Sequence, residues 1–252
     1  VWAWESIPGK PGASDYQALA SLCDALKPLT GQPARMAGLT VRPAALCSDQ
    51  LSMESVMASS TQARSLLINP ASAACNLHCS FCFYHDRPTD PYSGGPVRRM
   101  SPAVLELLIS QAMRLDRRQA VFGWQGGEPT LCGLEFFEQV VALQQRYGYP
   151  GQSVSNGLQT NALLLNDDWT RFLRKYSFLV GVSLDGPAKY HDRYRVHVDG
   201  SGSHARVMES IGRLQRQGVA YNILSVVNRV TGSHGSEIYD YLVAQGFDYL
   251  QF

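Results

Sequence analysis

Residues 65–82 read SLLINPASAACNLHCSFC. A short apolar run ending in proline suits a buried strand. It leads directly into three cysteines, Cys75, Cys79 and Cys82, spaced C-x3-C-x2-C. The same rhythm of strand followed by chemistry then repeats. QAVFGW is a strand running into QGGEP, SVSNGLQTN is a strand ending in QTN, and FLVGVS is a strand with buried character on both faces that ends in SLDG. AYNILSVVN and FDYLQF supply two more strands.

Helical patterns separate these strands. In SPAVLELLISQAMRLD, Ser101 serves as the cap, Pro102 sits in the first turn, and Val104, Leu108, Gln111 and Leu115 mark one face. GLEFFEQVVALQQRYG ends at Gly148, and NDDWTRFLRKY follows the third strand. In HARVMESIGRLQRQG, Val207, Ile211 and Leu214 share a side and Gly218 is the stop. SEIYDYLVAQG precedes the last strand. Strict alternation implies an α/β fold of parallel strands with right-handed crossovers. It fits either an open doubly wound sheet or a barrel, and in both the site lies at the C-terminal strand ends. The polar clusters fall at those ends, so one site is expected there.

The chain has 252 residues, 45% of them hydrophobic, enough for one large α/β domain. Net charge is +1, charged residues make up 17%, and no block of like charge stands out, so no nucleic-acid partner is expected. Nor is a membrane partner, since no apolar run is long enough to span. The opening VWAWESIPGK lacks a basic segment followed by an apolar one, so no secretion signal is read and a cytoplasmic location is expected. The absence of an initiator Met is consistent with a fragment, and Met53 or Met57 is a candidate start for the catalytic unit. Residues 1–60 read as an N-terminal extension of unknown role, partly disordered, with a short helix over 14–29. Residues 61–252 read as the core domain. Cys23, Cys47 and Cys132 are scattered and read as buried or incidental thiols.

Three clustered thiols without a fourth pose the chemical question. Structural zinc usually takes two C-x2-C pairs, or one pair plus histidines. No second pair exists, although His78 and His85 stand near enough in sequence to complete a tetrahedron. An iron–sulfur cubane is the other choice. With three cysteines it leaves one iron without a protein ligand, open to a substrate or cofactor.

With Phe81 just before the last cysteine, the cluster resembles the signature of radical S-adenosylmethionine enzymes. The resemblance implies a [4Fe-4S] cluster on Cys75, Cys79 and Cys82, with S-adenosylmethionine bound at the open iron and cleaved to a 5′-deoxyadenosyl radical. It also implies the barrel, here a partial (β/α)6 TIM-like barrel incomplete at its C-terminus. Gly126, Gly127 and Glu128 of GGEP resemble the glycine-rich edge that receives the methionine ammonium, where glycine permits close backbone approach.

WQGGEPTLCGLEFF, LQTNALLLNDDW and VGVSLDGPAKYHDRYR, together with the cysteine segment, are similar to anaerobic sulfatase-maturating enzymes over residues 65–252. That likeness implies oxidation of a sulfatase Cys or Ser to Cα-formylglycine, with a sulfatase polypeptide as substrate and an electron donor such as flavodoxin or ferredoxin. It places Phe81 and Gly127 against the cofactor, with Ser183 reaching it from the fourth strand. Arg195 is implied as the cofactor's arginine, a guanidinium suited to a carboxylate. Gln125 and Tyr84 are further pocket candidates, and Asp185 in LDGP reads as turn chemistry. The family's further cluster-binding cysteines and its proposed base lie beyond this chain, so no general base is named, and weak sulfatase maturation is expected of these residues alone. Two alternatives are another peptide-modifying radical enzyme, forming thioether or carbon–carbon crosslinks, and a zinc-stabilised non-catalytic module.

Overall fold

The computed structural model describes residues 65–84 and 99–252. The helix expected over 14–29, the 60/61 boundary and His85 lie outside them.

Strand β1 (Ser65–Ile68) is followed by helix α1 (Pro102–Leu115) and strand β2 (Gln119–Trp124). After a 3-10 turn at Pro129–Cys132 come α2 (Leu134–Tyr147), β3 (Ser153–Thr160), α3 (Asp167–Lys175) and β4 (Leu179–Ser183). The chain continues through α4 (Ala188–Tyr194), α5 (His204–Gln217), β5 (Tyr221–Leu224), α6 (Arg229–Ser233), α7 (Gly235–Ala244) and β6 (Leu250–Gln251). All six strands pair in parallel in the order β1-β2-β3-β4-β5-β6. A doubly wound sheet reverses its order at a switch point. Here the order never reverses, so the sheet is an unclosed part of a barrel. No helix among the described residues is long and apolar enough to cross a membrane.

Register explains the two faces. Ile68, Trp124, Leu158 and Val180 lie side by side across β1–β4 and are buried under the helices. The neighbouring row on the other face is Leu67, Gly123, Gly157 and Leu179. There Leu67 and Leu179 are 52% and 53% exposed and border a groove of about 180 Å³. The centre of β4 is nonetheless buried on both faces, as expected, with Val180, Gly181 and Val182 covered and Leu179 exposed at its start. Glycines leave the inner face as a groove instead of a filled core.

The helices begin and end where local chemistry dictates. Ser101 caps α1 by accepting from the Val104 N–H, and Asn166 caps α3 by accepting from the Trp169 N–H. Gly218 ends α5 with φ 64°, the left-handed region glycine enters freely. The face assigned to α1 needs correction. Val104, Gln111 and Leu115 are exposed, whereas Leu105, Ile109, Ala112 and Met113 are buried. Apolar residues surround most of this helix, so periodicity alone selects the wrong stripe. The short helices α4 and α6 were not expected at all.

Phe137 of α2 joins the layers. Its ring meets Trp124 edge-on at 5.7 Å, Trp169 of α3 at 5.4 Å and Phe178 at 6.3 Å. Phe137→Ala is expected to cost about 3–5 kcal/mol, read as a lower urea midpoint at unchanged slope. A loss below about 1 kcal/mol would remove Phe137 from this central role.

Candidate active site

The cysteine loop leaves β1 and is fastened on two sides. On one side Gly127 N–H donates to the Ser72 carbonyl at 3.0 Å and Glu128 N–H to the Ala74 carbonyl at 2.6 Å. On the other, His78 N–H donates to the Val196 carbonyl and Ser80 N–H to the Tyr194 carbonyl. Within the loop, Cys82 N–H donates to the Cys79 carbonyl. The β2 end and the segment after α4 thus hold the three cysteines between them.

Both glycines of GGEP are required by the protein itself. A Cβ on Gly127 would lie 2.2 Å from the Ala74 carbonyl oxygen, one residue before Cys75. Gly126 has φ 127°, and a Cβ there would overlap the Asn69 side chain. The reading of these glycines as room for a ligand is therefore incomplete, because they first make room for the cysteine loop. Glu128 is buried and takes four hydrogen bonds. Oε1 accepts from the Thr130 N–H and from the Thr130 and Thr160 hydroxyls, and Oε2 from the Asn161 N–H. Burial still pushes its carboxyl pKa up despite these donors.

Arg195 donates through Nε and Nη2 to Asp185, at 2.7 and 3.1 Å, with both side chains buried. Val226 N–H also donates to Asp185. The LDGP aspartate is thus the counter-ion that holds Arg195, beyond any role in a turn. Two guanidinium donors are committed to it, which leaves fewer for a ligand than a free arginine would offer. The Arg195 guanidinium carbon sits 5.1 Å from the Phe81 ring centre. His191 completes the support. Asp185 N–H donates to its Nδ1, so Nε2 carries the proton and donates to Ser203 Oγ, which donates to the Arg195 carbonyl. Burial first, then the positive Arg195, lowers the His191 pKa to about 3, which keeps the ring neutral.

At the strand ends, Gln159 Nε2 donates to Ser183 Oγ at 3.1 Å. Gly181 admits that crossing, since a Cβ there would overlap Gln159 Oε1. Tyr84 hydroxyl stands 3.5 Å from Asn69 Nδ2.

These parts enclose one cavity of about 420 Å³, within the range of small-ligand sites. Cys75, Cys79 and Cys82 line it, as do Phe81 and Tyr84 from the same loop. Gln125, Gly126, Gly127 and Glu128 line it from the end of β2, and Ser183 and Arg195 from the β4 side. The structure therefore brings every candidate residue to one place. Sequence reasoning missed Gln159, Thr160 and Asn161 in the wall, for which QTN at a strand end was the signal. A second cavity, of about 430 Å³, lies against the N-terminal half of β3 and carries no thiol or charged side chain.

The donor set fits a cluster. Burial pushes the Cys79 thiol up to about 11, although nearby Arg195 pulls it down, and burial raises Cys75 as well. Ligation removes those protons, so loading releases acid. Among the described residues, no three His, Cys, Asp or Glu groups converge on a single ion. A polynuclear cluster spreads its thiolates over separate irons and suits three cysteines around one cavity. His78 is exposed and does not line the cavity.

An unclosed parallel barrel with three thiols and a glycine edge at its C-terminal strand ends defines a cluster-binding α/β enzyme core. Residues 69–242 match the Radical SAM superfamily, and the chain belongs to it. It is 39% identical over 190 residues to a cysteine-type anaerobic sulfatase-maturating enzyme of Clostridium novyi (strain NT), covering 75% of this chain and 50% of the relative. It is also 39% identical over 190 residues to a serine-type enzyme of Klebsiella aerogenes, covering 74% and 45%. Among solved structures, native anSMEcpe with bound AdoMet (S-adenosylmethionine) and the Cp18Cys peptide superposes with a TM-score of 0.69 at 38% identity, covering 75% of this chain and 50% of that one. The chain spans about half the length of the curated relatives it matches.

Three substitutions test this geometry. Gly127→Val is expected to displace the Ala74 backbone and lower the iron bound after anaerobic reconstitution severalfold, whereas Cys132→Ala, outside the cavity, keeps it. Full iron in Gly127→Val would separate the glycine edge from the cysteine loop. Asp185→Asn leaves Arg195 buried without its counter-ion and is expected to cost about 3–5 kcal/mol in urea unfolding. An unchanged midpoint would mean that the pair is not the buried anchor described.

Proposed function

We propose that this chain carries the radical-generating core of an anaerobic sulfatase-maturating enzyme. In this reading Cys75, Cys79 and Cys82 hold a [4Fe-4S] cluster, and S-adenosylmethionine occupies the adjoining cavity. Together these groups supply a 5′-deoxyadenosyl radical able to take hydrogen from the Cβ of a sulfatase Cys or Ser, towards Cα-formylglycine. Residues from Cys75 to Arg195, far apart in sequence, line one cavity at the strand ends, and that observation carries the proposal.

The protein's part is to bind and orient. The N–H groups of Gly127 and Glu128 are spent on the cysteine loop. The edge also carries the Gly126 and Gly127 carbonyl oxygens, acceptors suited to an ammonium. Arg195 keeps donors beyond the two on Asp185 for a carboxylate. Phe81 offers a ring face to an adenine, and Ser183, held by Gln159, offers a hydroxyl. Gln125 and Tyr84 close the wall. The groove along Gly123 and Gly157 gives a polypeptide room beside this cavity, since Gln125 and Gln159 line both. The proposal includes a sulfatase polypeptide as substrate, a donor such as flavodoxin or ferredoxin, and a cytoplasmic setting.

The test is turnover of the anaerobically reconstituted chain with S-adenosylmethionine, a reductant, and sulfatase-derived peptides bearing Cys or Ser. Chromatography should show 5′-deoxyadenosine, and mass spectrometry a peptide aldehyde above background, however slowly it forms. A crosslinked product from an unrelated peptide, with none from the sulfatase peptides, would instead favour another peptide-modifying enzyme.

A further inference from the structure

We propose that Asn161 raises the reduction potential of the cluster by donating an amide hydrogen bond to the Cys75 thiolate. The inference rests on the reading that Cys75, Cys79 and Cys82 hold a [4Fe-4S] cluster, and it assigns a role to a residue absent from the sequence-level candidates. Asn161 is buried at the end of β3. Its Nδ2 lies 2.8 Å from Asn76 Oδ1 and 3.7 Å from Cys75 Sγ, one amide hydrogen for each. The amide cannot be turned the other way round, because its Oδ1 accepts from the Leu163 N–H at 3.1 Å and a backbone N–H only donates. The nitrogen therefore faces the sulfur.

The backbone holds it there. Asn161 N–H donates to Glu128 Oε2 at 2.8 Å, and the other Glu128 oxygen is fixed by the Thr130 and Thr160 hydroxyls at 2.6 and 2.7 Å. The next residue, Ala162, sits at φ 63° although it carries a Cβ. Such a conformation persists only where its surroundings over-determine it. This gives the buried Glu128 a purpose as the positioning residue that anchors the Asn161 backbone. A second donor, Leu77 N–H, reaches the same sulfur at 3.4 Å.

Electron density added to an iron–sulfur cluster is shared by its thiolate ligands. A fixed N–H donor on such a sulfur, in a buried low-dielectric site, stabilises the reduced form more than the oxidised one. Groups that hydrogen-bond to metal ligands tune the metal in this way. Loss of the Asn161 donor should therefore make the cluster harder to reduce.

The experiment is an EPR-monitored redox titration of the reconstituted chain without S-adenosylmethionine, comparing wild type with Asn161→Leu at matched iron and sulfide content. The expected result is a lower midpoint, with the reduction equilibrium shifted about tenfold, or about 59 mV for a one-electron couple. A matched cluster at an unchanged midpoint would overturn the proposal. If the variant fails to hold a cluster, the wild type decides. Asparagine labelled with ¹⁵N only at its side-chain amide should give a ¹⁵N hyperfine coupling on the reduced cluster, and no coupling would overturn the proposal. A wild type that assembles no cubane would overturn the reading beneath, and this inference with it.

Discussion

The contact on which the site depends is the one between Gly127 and the backbone of the cysteine loop. The Ala74 carbonyl oxygen occupies the space a Cβ would need, and the Gly127 and Glu128 N–H groups donate across the same seam. Because the contact is backbone to backbone, it has no long side chain to yield. It fixes the first cysteine relative to the end of β2, and through Glu128 it fixes β3 as well. A site that must hold a cluster and a cofactor at a set separation benefits from such stiffness.

A second anchor works from the opposite side. Asp185, Arg195, His191 and Ser203 form a directional chain in which each donor has one acceptor. Buried charge is tolerable because it is paired and hydrogen-bonded. The same segment reaches back to the cysteine loop through Tyr194 and Val196. The loop thus lies between two rigid supports built from different strands, while the inner sheet face beside it stays open and glycine-floored. That division leaves the cysteine loop fixed and the groove beside it free of side-chain filling.

Much of this was legible in the sequence because parallel α/β architecture writes itself as alternation and gathers its chemistry at strand ends. Cys75, Cys79, Cys82 and the GGEP turn could be placed together on that logic alone. Other features were hidden for physical reasons. Helix α1 is apolar on most sides, so its buried stripe was read one step away from Leu105 and Ile109. The pairing of Asp185 with Arg195 depends on how α4 turns the chain, and a locally good turn sequence conceals it. Asn161 looked like one polar residue among several. Its role depends on Leu163, Glu128 and Cys75 converging from separate segments, which no local pattern reports.

The most direct test of the account is the EPR spectrum of the anaerobically reconstituted, reduced protein with and without S-adenosylmethionine. Three thiols without a fourth leave one iron for the cofactor, so a cubane signal that changes on its addition is predicted. A cubane signal indifferent to S-adenosylmethionine would contradict the account, because the cluster would then be present without the open coordination position that gives the three-cysteine site its purpose.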